Sequence, residues 1–383
     1  MDLSFSAAEE AFRAELRAWL AANLPPDAPE PATLDEEVAR LRAWQRRLHE
    51  GGWVGIHWPR EYGGRGATVV ENYVFQEEMA AARAPEVINR IGVNLVGPTL
   101  IAHGTEDQKR RFLPKILPAE EIWCQLFSEP GAGSDLTALR TRAEPAGEGW
   151  VVSGQKVWTS YAQFARWGIL LARTDPAAPK ARGISYFICD MQAPGVTVRP
   201  LRQMTGSEEF NEVFLEEVRI PRGHLVGREN EGWAIANTTL THERGTAPRQ
   251  LVIHRMLLAD LLRLAREGGA HADPVLRQRL AQHRIEVEIT RLNNWRTLTR
   301  ILRRQPLGPE ASFVKLFWSE MSQGMHDTLM RLLGPRGLCW QDGAVGRLVR
   351  SYLYYRSASI FAGTSEIQRN ILAERVLGLP RSR

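Results

Sequence analysis

The order of apolar and polar positions divides the chain into three textures. Up to about residue 121 the apolar residues recur at helical spacing. Phe12, Leu16, Trp19 and Leu20 share one face, and Ser6 with Glu9 has capping-box spacing, so a helix is predicted to start there and stop at Pro25 and Pro26. Leu34, Val38, Leu41, Trp44 and Leu48 form a second stripe, closed by Gly51 and Gly52. The glycine-rich stretch 58–66 reads as a loop, and helical texture returns over 69–82 and 92–117.

Between about 122 and 230 the period changes. The stretch 150–158 reads as two short β-type runs around a turn at Ser153 and Gly154. Further apolar runs at 169–173, 184–188, 196–199 and 213–215 are separated by Pro, Gly and Asp. Short strands with no helices between them predict an antiparallel barrel or sandwich. From 231 long helical runs return, at 253–266, 275–301, 310–333 and 348–355, broken by Gly268 and Gly269, by 306–309 and by Gly334 with Pro335. The expectation is an α+β multidomain chain: an N-terminal helical domain (1–121), a middle antiparallel β-barrel or sandwich domain (122–230) and a C-terminal helical bundle (231–383), with the first and last packed together.

Composition narrows the class. The 383 residues are 44% hydrophobic and 24% charged, which excludes a disordered or fibrous chain. The net charge of +5 comes from arginines interleaved with acids, too dispersed to predict nucleic-acid binding. Cys124, Cys189 and Cys339 have neither ligand nor disulfide spacing. No signal-peptide pattern and no membrane-length apolar run is found, so a cytoplasmic location is expected.

Three stretches carry candidate chemistry. In LFSEPGAGSD (126–135), polar Ser128, Ser134 and Asp135 stand among glycines that let a ligand approach the backbone; the plainer reading is a turn. In KVWTS (156–160) an aromatic sits beside two hydroxyls, which equally describes a buried Trp with satisfied neighbours. In FAGTSEIQRN (361–370), Gly363, Thr364 and Ser365 read as a helix N-terminus suited to phosphate, or as an ordinary cap with Glu366 in the first turn.

Taken together and in this order, the stretches resemble the acyl-CoA dehydrogenase family, and GTEDQK (104–109), GQKVWTS (154–160) and RLLGP (331–335) extend the resemblance from about residue 5 to 380. The resemblance implies helical, β and four-helix domains, with FAD held between the middle and C-terminal ones. It implies that Gln125, Phe127 and Ser128 line the flavin, that Trp158 stacks on its ring, and that Ser160 bonds near its N5. Thr364 and Glu366 would meet the pyrophosphate and ribose; Ser134 and Arg244 would contact the acyl-CoA; Arg331 and Gly334 match a loop that completes the FAD site of a paired subunit. The implied reaction is α,β-desaturation of an acyl thioester, with a carboxylate taking the α-proton and flavin N5 the β-hydride. The implied partners are electron-transferring flavoprotein as acceptor and a homo- or hetero-tetramer built as a dimer of dimers.

The sequence departs from the common pattern at two places. The position before Gly363 and Thr364, where most of the family carries its catalytic Glu, is Ala362. A minority, including isovaleryl-CoA and actinobacterial steroid side-chain dehydrogenases, places the base on an earlier helix directly before an Arg, and LTHER (240–244) fits with Glu243 as that base. His242 is the competing base, but adjacent helical residues point about 100° apart, so only one faces a substrate. Glu243 is preferred, and its placement goes with branched or bulky acyl groups, including steroid side chains. The second departure is DPVLRQR (273–279) where relatives carry Arg-x-x-Phe-Gly for the adenosine tail; Arg277 and Arg279 are the available substitutes. Two other functions compete: a non-catalytic partner subunit of a heteromeric dehydrogenase, which Ala362 favours, and an acyl-CoA oxidase, whose members are generally longer.

Overall fold

The computed structural model describes residues 4–26, 31–243, 247–305, 308–309, 311–339 and 343–380, with the backbone alone described at 241–243, 271 and 311. Helices α1 (Ala7–Asn23), α2 (Leu34–Glu50), α3 (Val69–Ala81), α4 (Gly97–His103) and α5 (Glu106–Phe112) come first. Strands β1 (Trp123–Leu126), β2 (Arg142–Ala146), β3 (Gly149–Ser160), β4 (Trp167–Arg173), β5 (Ile184–Asp190), β6 (Val196–Leu201), β7 (Phe210–Pro221) and β8 (Leu225–Val226) follow. Helices α6 (Gly232–Glu243), α7 (Ala247–Glu267), α8 (Pro274–Leu302), α9 (Ala311–Leu333), α10 (Gly343–Tyr355) and α11 (Ser365–Arg375) end the chain. The helical, β and helical regions are as expected from the sequence.

Helix starts follow local side-chain chemistry. The Ser6 hydroxyl accepts from Glu9 N while Ser6 N donates to the Glu9 carboxylate at 2.6 Å. Thr68 with Glu71 and Thr105 with Gln108 close full capping boxes. The stretch 92–117 is not one helix. A π turn at Gly92–Val96 leads into α4, Gly104 ends it, and Thr105 caps a new one. The stretch 150–158 is not two runs around a turn either, because β3 passes through it unbroken. Ser153 and Gly154 mark a bulge, where the register against β7 shifts, and a Cβ at 154 would meet the Thr141 hydroxyl at 2.4 Å.

The chain forms two compact units. One contains residues 22–67 and 85–245. Its eight-stranded sheet runs β6-β7-β3-β2-β4-β5-β8, with β1 beside β4. The pairings are antiparallel except those of β1 and β2 with β4. β4 and β5 are buried along nearly their whole length and therefore read as continuous apolar runs, whereas β3 and β7 alternate. Leu126, Trp150, Val152, Leu170, Phe187, Val213 and Leu215 pack in the core.

The other unit contains residues 1–21, 68–84 and 246–383, so the N-terminal segment supplies helices to both units. Here α3 packs on α7, α7, α8 and α9 pack on each other, and α10 and α11 lie on α9. The buried Glu78 carboxylate holds α1 to α3 by accepting from Arg17 Nε at 2.7 Å and Arg13 Nη1 at 3.2 Å. Among the described residues, no helix is long and apolar enough to cross a membrane.

His254 and His326 are two of the histidines buried in this helical unit. His254 Nδ1 donates to the Gln250 carbonyl at 2.7 Å, and its Nε2 has no partner among the described residues. His326 Nδ1 donates to the Ser322 carbonyl at 2.7 Å, which leaves Nε2 to accept from Ser351 at 2.8 Å, and its ring stacks on Tyr355. Burial lowers both imidazoles from 6.5 to about 4, so the folded state holds them neutral. Unfolded histidines titrate near pH 6.5. Between there and pH 4 the unfolded chain therefore binds the extra protons, and stability present above pH 6.5 is lost as the pH falls. Each histidine should contribute about 1.4 kcal/mol per pH unit near pH 5. Chemical denaturation of wild type and His254→Leu at pH 7 and pH 5 should show a shallower loss in the variant. Equal losses would contradict the account.

Candidate active site

The stretches singled out in the sequence between 125 and 160 meet in the sheet unit through one buried ion pair. Lys156 on β3 has no exposed surface; its Nζ donates to Glu129 Oε1 at 2.8 Å and to the Phe127 carbonyl at 3.1 Å. The same carboxylate accepts from Arg140 N at 2.7 Å and Thr141 N at 2.9 Å. Burial lowers the Lys156 ammonium to about 8 against the pull of Glu129. Burial also pushes the Glu129 carboxyl up, but the Lys156 charge and its hydrogen bonds outweigh this and leave it below its ordinary value. A backbone bond from Val157 N to the Ser128 carbonyl at 2.9 Å completes the joint.

Beyond this joint the strand kinks. Pairing of β3 with β7 shifts register between Lys156 and Thr159, and Trp158 adopts a left-handed φ of 61°. Strict alternation would put Trp158 on the buried side with Lys156; the kink turns it outward, with 61% of its surface exposed and its edge near Phe210. Phe127 is buried and meets Tyr186 edge-on, while Gln125, Ser128 and Ser160 are half-buried. Ser134 is exposed on the glycine-rich loop, where Asp135 accepts from Lys180 at 2.6 Å. An exposed indole flanked by half-buried hydroxyls suits a planar aromatic ligand.

Glu243 is the last residue of α6; its side chain lies outside the described residues, as does Arg244. The helix beneath it is tightly held. Thr239, one turn before Glu243, is fully buried, and its hydroxyl lies 2.9 Å from that of Thr99 and 3.3 Å from that of Tyr186. Thr238 meets His103 Nε2 at 2.9 Å. Sequence reasoning assigned no role to Lys156, Glu129, Thr99, Tyr186 or Thr239. The buried Lys in a β-type run was the one available signal.

The remaining candidates belong to the helical unit. Thr364 caps α11, its hydroxyl accepting from Ile367 N at 3.2 Å. In the first turn, the buried Ser365 hydroxyl has no partner among the described residues, nor has Lys315 Nζ on α9. Free N–H groups, the helix dipole and an unpaired ammonium give this end the chemistry of a phosphate site. Glu366 is exposed, its carboxyl lowered first by its own backbone N–H. Before it, Ala362 has a φ of 51°, and Gly363 a φ of 85° with Gln368 where a Cβ would sit. Arg331 is exposed at the end of α9, and Gly334 opens the following turn with a φ of 55°. Arg277 is exposed, and Arg279 lines a shallow groove with Pro274, Val275, Gln278 and Gln282. Taken separately, these residues fit parts of FAD in kind: the exposed Trp158 is a platform of the sort a flavin takes, and the capped helix end at Thr364 is of the sort a phosphate takes. Among the described residues no cluster of metal-binding side chains occurs.

Family models match the chain as "Acyl-CoA dehydrogenase, N-terminal domain" over 6–120, "middle domain" over 124–218 and "C-terminal domain" over 230–377. The acyl-CoA dehydrogenase IpdE1 of Mycobacterium tuberculosis is 41% identical over 379 residues, covering 97% of this chain and 98% of that protein. FadE26 of the same organism is 32% identical with both chains fully covered. Among solved structures, a steroid acyl-CoA dehydrogenase described as Tcur3481-Tcur3483 superposes with a TM-score of 0.88 at 34% identity, covering 100% of both chains. The ChsE4-ChsE5 complex from Mycobacterium tuberculosis gives 0.85 at 31%, again over 100% of both. With all three regions of the chain matched and the motif residues placed as above, the chain belongs to the acyl-CoA dehydrogenase family, oxidoreductases that generally bind FAD.

Proposed function

We propose that this chain is an FAD-dependent acyl-CoA dehydrogenase that desaturates the α,β-bond of a branched or bulky acyl-CoA, with Glu243 as the base. The observation that carries the proposal is the exchange of positions: a methyl group stands at Ala362, and a carboxylate ends α6, the helix locked by Thr239. The steroid designation of a neighbour similar over its full length supports a bulky acyl group, steroid side chains included.

In this reading Trp158, Gln125, Phe127, Ser128 and Ser160 face the isoalloxazine, and Thr364 and Glu366 face the pyrophosphate and ribose. Bound FAD would supply a two-electron acceptor for the hydride leaving the β-carbon. Glu243 takes the α-proton as that hydride leaves, so one proton and one hydride depart from adjacent carbons and a double bond remains. Thioester α-protons are too weakly acidic for a solvated carboxylate, so the base must be desolvated and positioned. The buried hydroxyls that fix α6 one turn before Glu243 support such positioning. Ser134 and Arg244 contact the acyl-CoA. Electron-transferring flavoprotein is the expected acceptor, and the cytoplasm the expected location.

The second reading is a non-catalytic subunit that completes a partner's FAD site. Ala362 and the DPVLRQR stretch favour it, as do two solved neighbours described by paired names. Both readings use Arg331 and Gly334 as the loop offered to a neighbouring chain.

Glu243→Gln keeps the shape of the side chain and removes the carboxylate. FAD content should persist while flavin reduction by substrate falls by orders of magnitude, read by anaerobic stopped flow. A variant that reduces its flavin at the wild-type rate would contradict the assignment and move it to His242 or to a carboxylate from a partner chain. A shared FAD site further predicts that cofactor and assembly go together: light scattering with flavin absorbance should find FAD in dimers or larger species. A monomer retaining one FAD per chain would refute the shared site.

A further inference from the structure

The buried Lys156–Glu129 pair raises a question that stability alone does not answer. Removing an ammonium and a carboxylate from water is costly, and an apolar pair of similar volume often serves a core as well or better. This pair lies in a sheet otherwise packed with Leu, Val and Phe, yet it spends its hydrogen bonds on particular backbone groups. Lys156 binds the carbonyl of Phe127; Glu129 binds the N–H groups of Arg140 and Thr141. The Ser128 carbonyl takes the N–H of Val157. The loop 127–141 is thus fixed to β3 two residues before the strand turns left-handed at Trp158. On the far side of the kink Thr159 is again fully buried, so Trp158 is held outward between two anchored positions.

We infer that Lys156 and Glu129 are positioning residues for the flavin: they set the outward orientation of Trp158 against the backbone of Phe127 and Ser128, so that the cofactor meets a preformed platform. The inference rests on the proposed use of this face for FAD. Preorganisation of this kind lowers the cost of ordering on binding and shows itself in cofactor affinity and environment, beyond fold stability. Neither residue touches the flavin in this scheme; both act through Trp158 and the loop.

The test removes both charges at once, with Lys156→Met and Glu129→Gln combined, so that neither charge is stranded and the introduced amide oxygen still accepts from the backbone. Apoprotein of wild type and variant, in its natural assembly, is titrated with FAD. Three signals are followed: affinity, the visible flavin spectrum, and quenching of tryptophan fluorescence. The variant should remain folded by circular dichroism, bind FAD at least tenfold more weakly, and lose much of the quenching and of the protein-induced change in the flavin band. In a Trp158→Ala background the same double change should add little further loss of affinity. A folded variant with wild-type affinity and spectrum overturns the inference, as does a full additional loss in the Trp158→Ala background. If that double variant does not fold, Lys156→Gln combined with Glu129→Gln, which keeps a donor for the Phe127 carbonyl and again strands no charge, is read by the same signals and with the same two outcomes. Wild-type protein that takes up no FAD overturns the inference and the proposed cofactor together; uptake by wild type with an unchanged variant overturns the inference alone.

Discussion

The contact on which the sheet unit's functional face depends is a single ammonium buried against a single carboxylate. Losing one member of such a pair costs about 3–5 kcal/mol because the other is left charged in the interior. A folded chain therefore holds Lys156 and Glu129 together, and with them the loop 127–141 against β3. The kink at Trp158 comes two residues later, at a bulge where pairing with β7 has already slipped. Exposure of a large indole follows from backbone geometry that the adjacent pair and the buried Thr159 hold in place. Strain, charge burial and an exposed aromatic meet within five residues of chain, as expected where structure serves a ligand.

Much of the fold was readable along the chain because its signals are local. Ser6 with Glu9 announces the first helix start within four residues, and glycines and prolines end helices; Thr68 and Thr105 carry the same local signal, although the texture over 92–117 reads as continuous across Thr105. Errors arose where a local signal had a non-local cause. Ser153 and Gly154 looked like a turn, but Gly154 is there because Thr141 on a neighbouring segment leaves no room for a Cβ. The division of the N-terminal helices between two units depends on which face each one buries, and no stripe names its partner. The motif residues could be found in order, but the ion pair joining them spans 27 positions and the Thr99–Thr239 contact spans 140, beyond any spacing rule.

Membership of the acyl-CoA dehydrogenase family places strong chemical demands on a site, and this chain meets them unevenly. The aromatic platform, the hydroxyls and the capped helix at Thr364 are present. The carboxylate is absent from position 362, where Ala362 has a left-handed φ beside Gly363. In the proposed reading a base on α6 makes up the deficit; that helix is fixed through the Thr239 hydroxyl, which meets those of Thr99 and Tyr186, the last also in contact with Phe127. One continuous set of contacts thus runs from Phe127 to the helix that carries Glu243.

Anaerobic titration of the purified wild-type protein with acyl-CoA thioesters, straight-chain, branched and steroid-derived, tests the central claim most directly. The account predicts a yellow protein whose flavin absorbance bleaches with bulky acyl-CoA and with release of the enoyl product. A flavin-bearing protein that no thioester bleaches, or a colourless one that acquires flavin only beside a second chain, would contradict it and leave the non-catalytic subunit as the function.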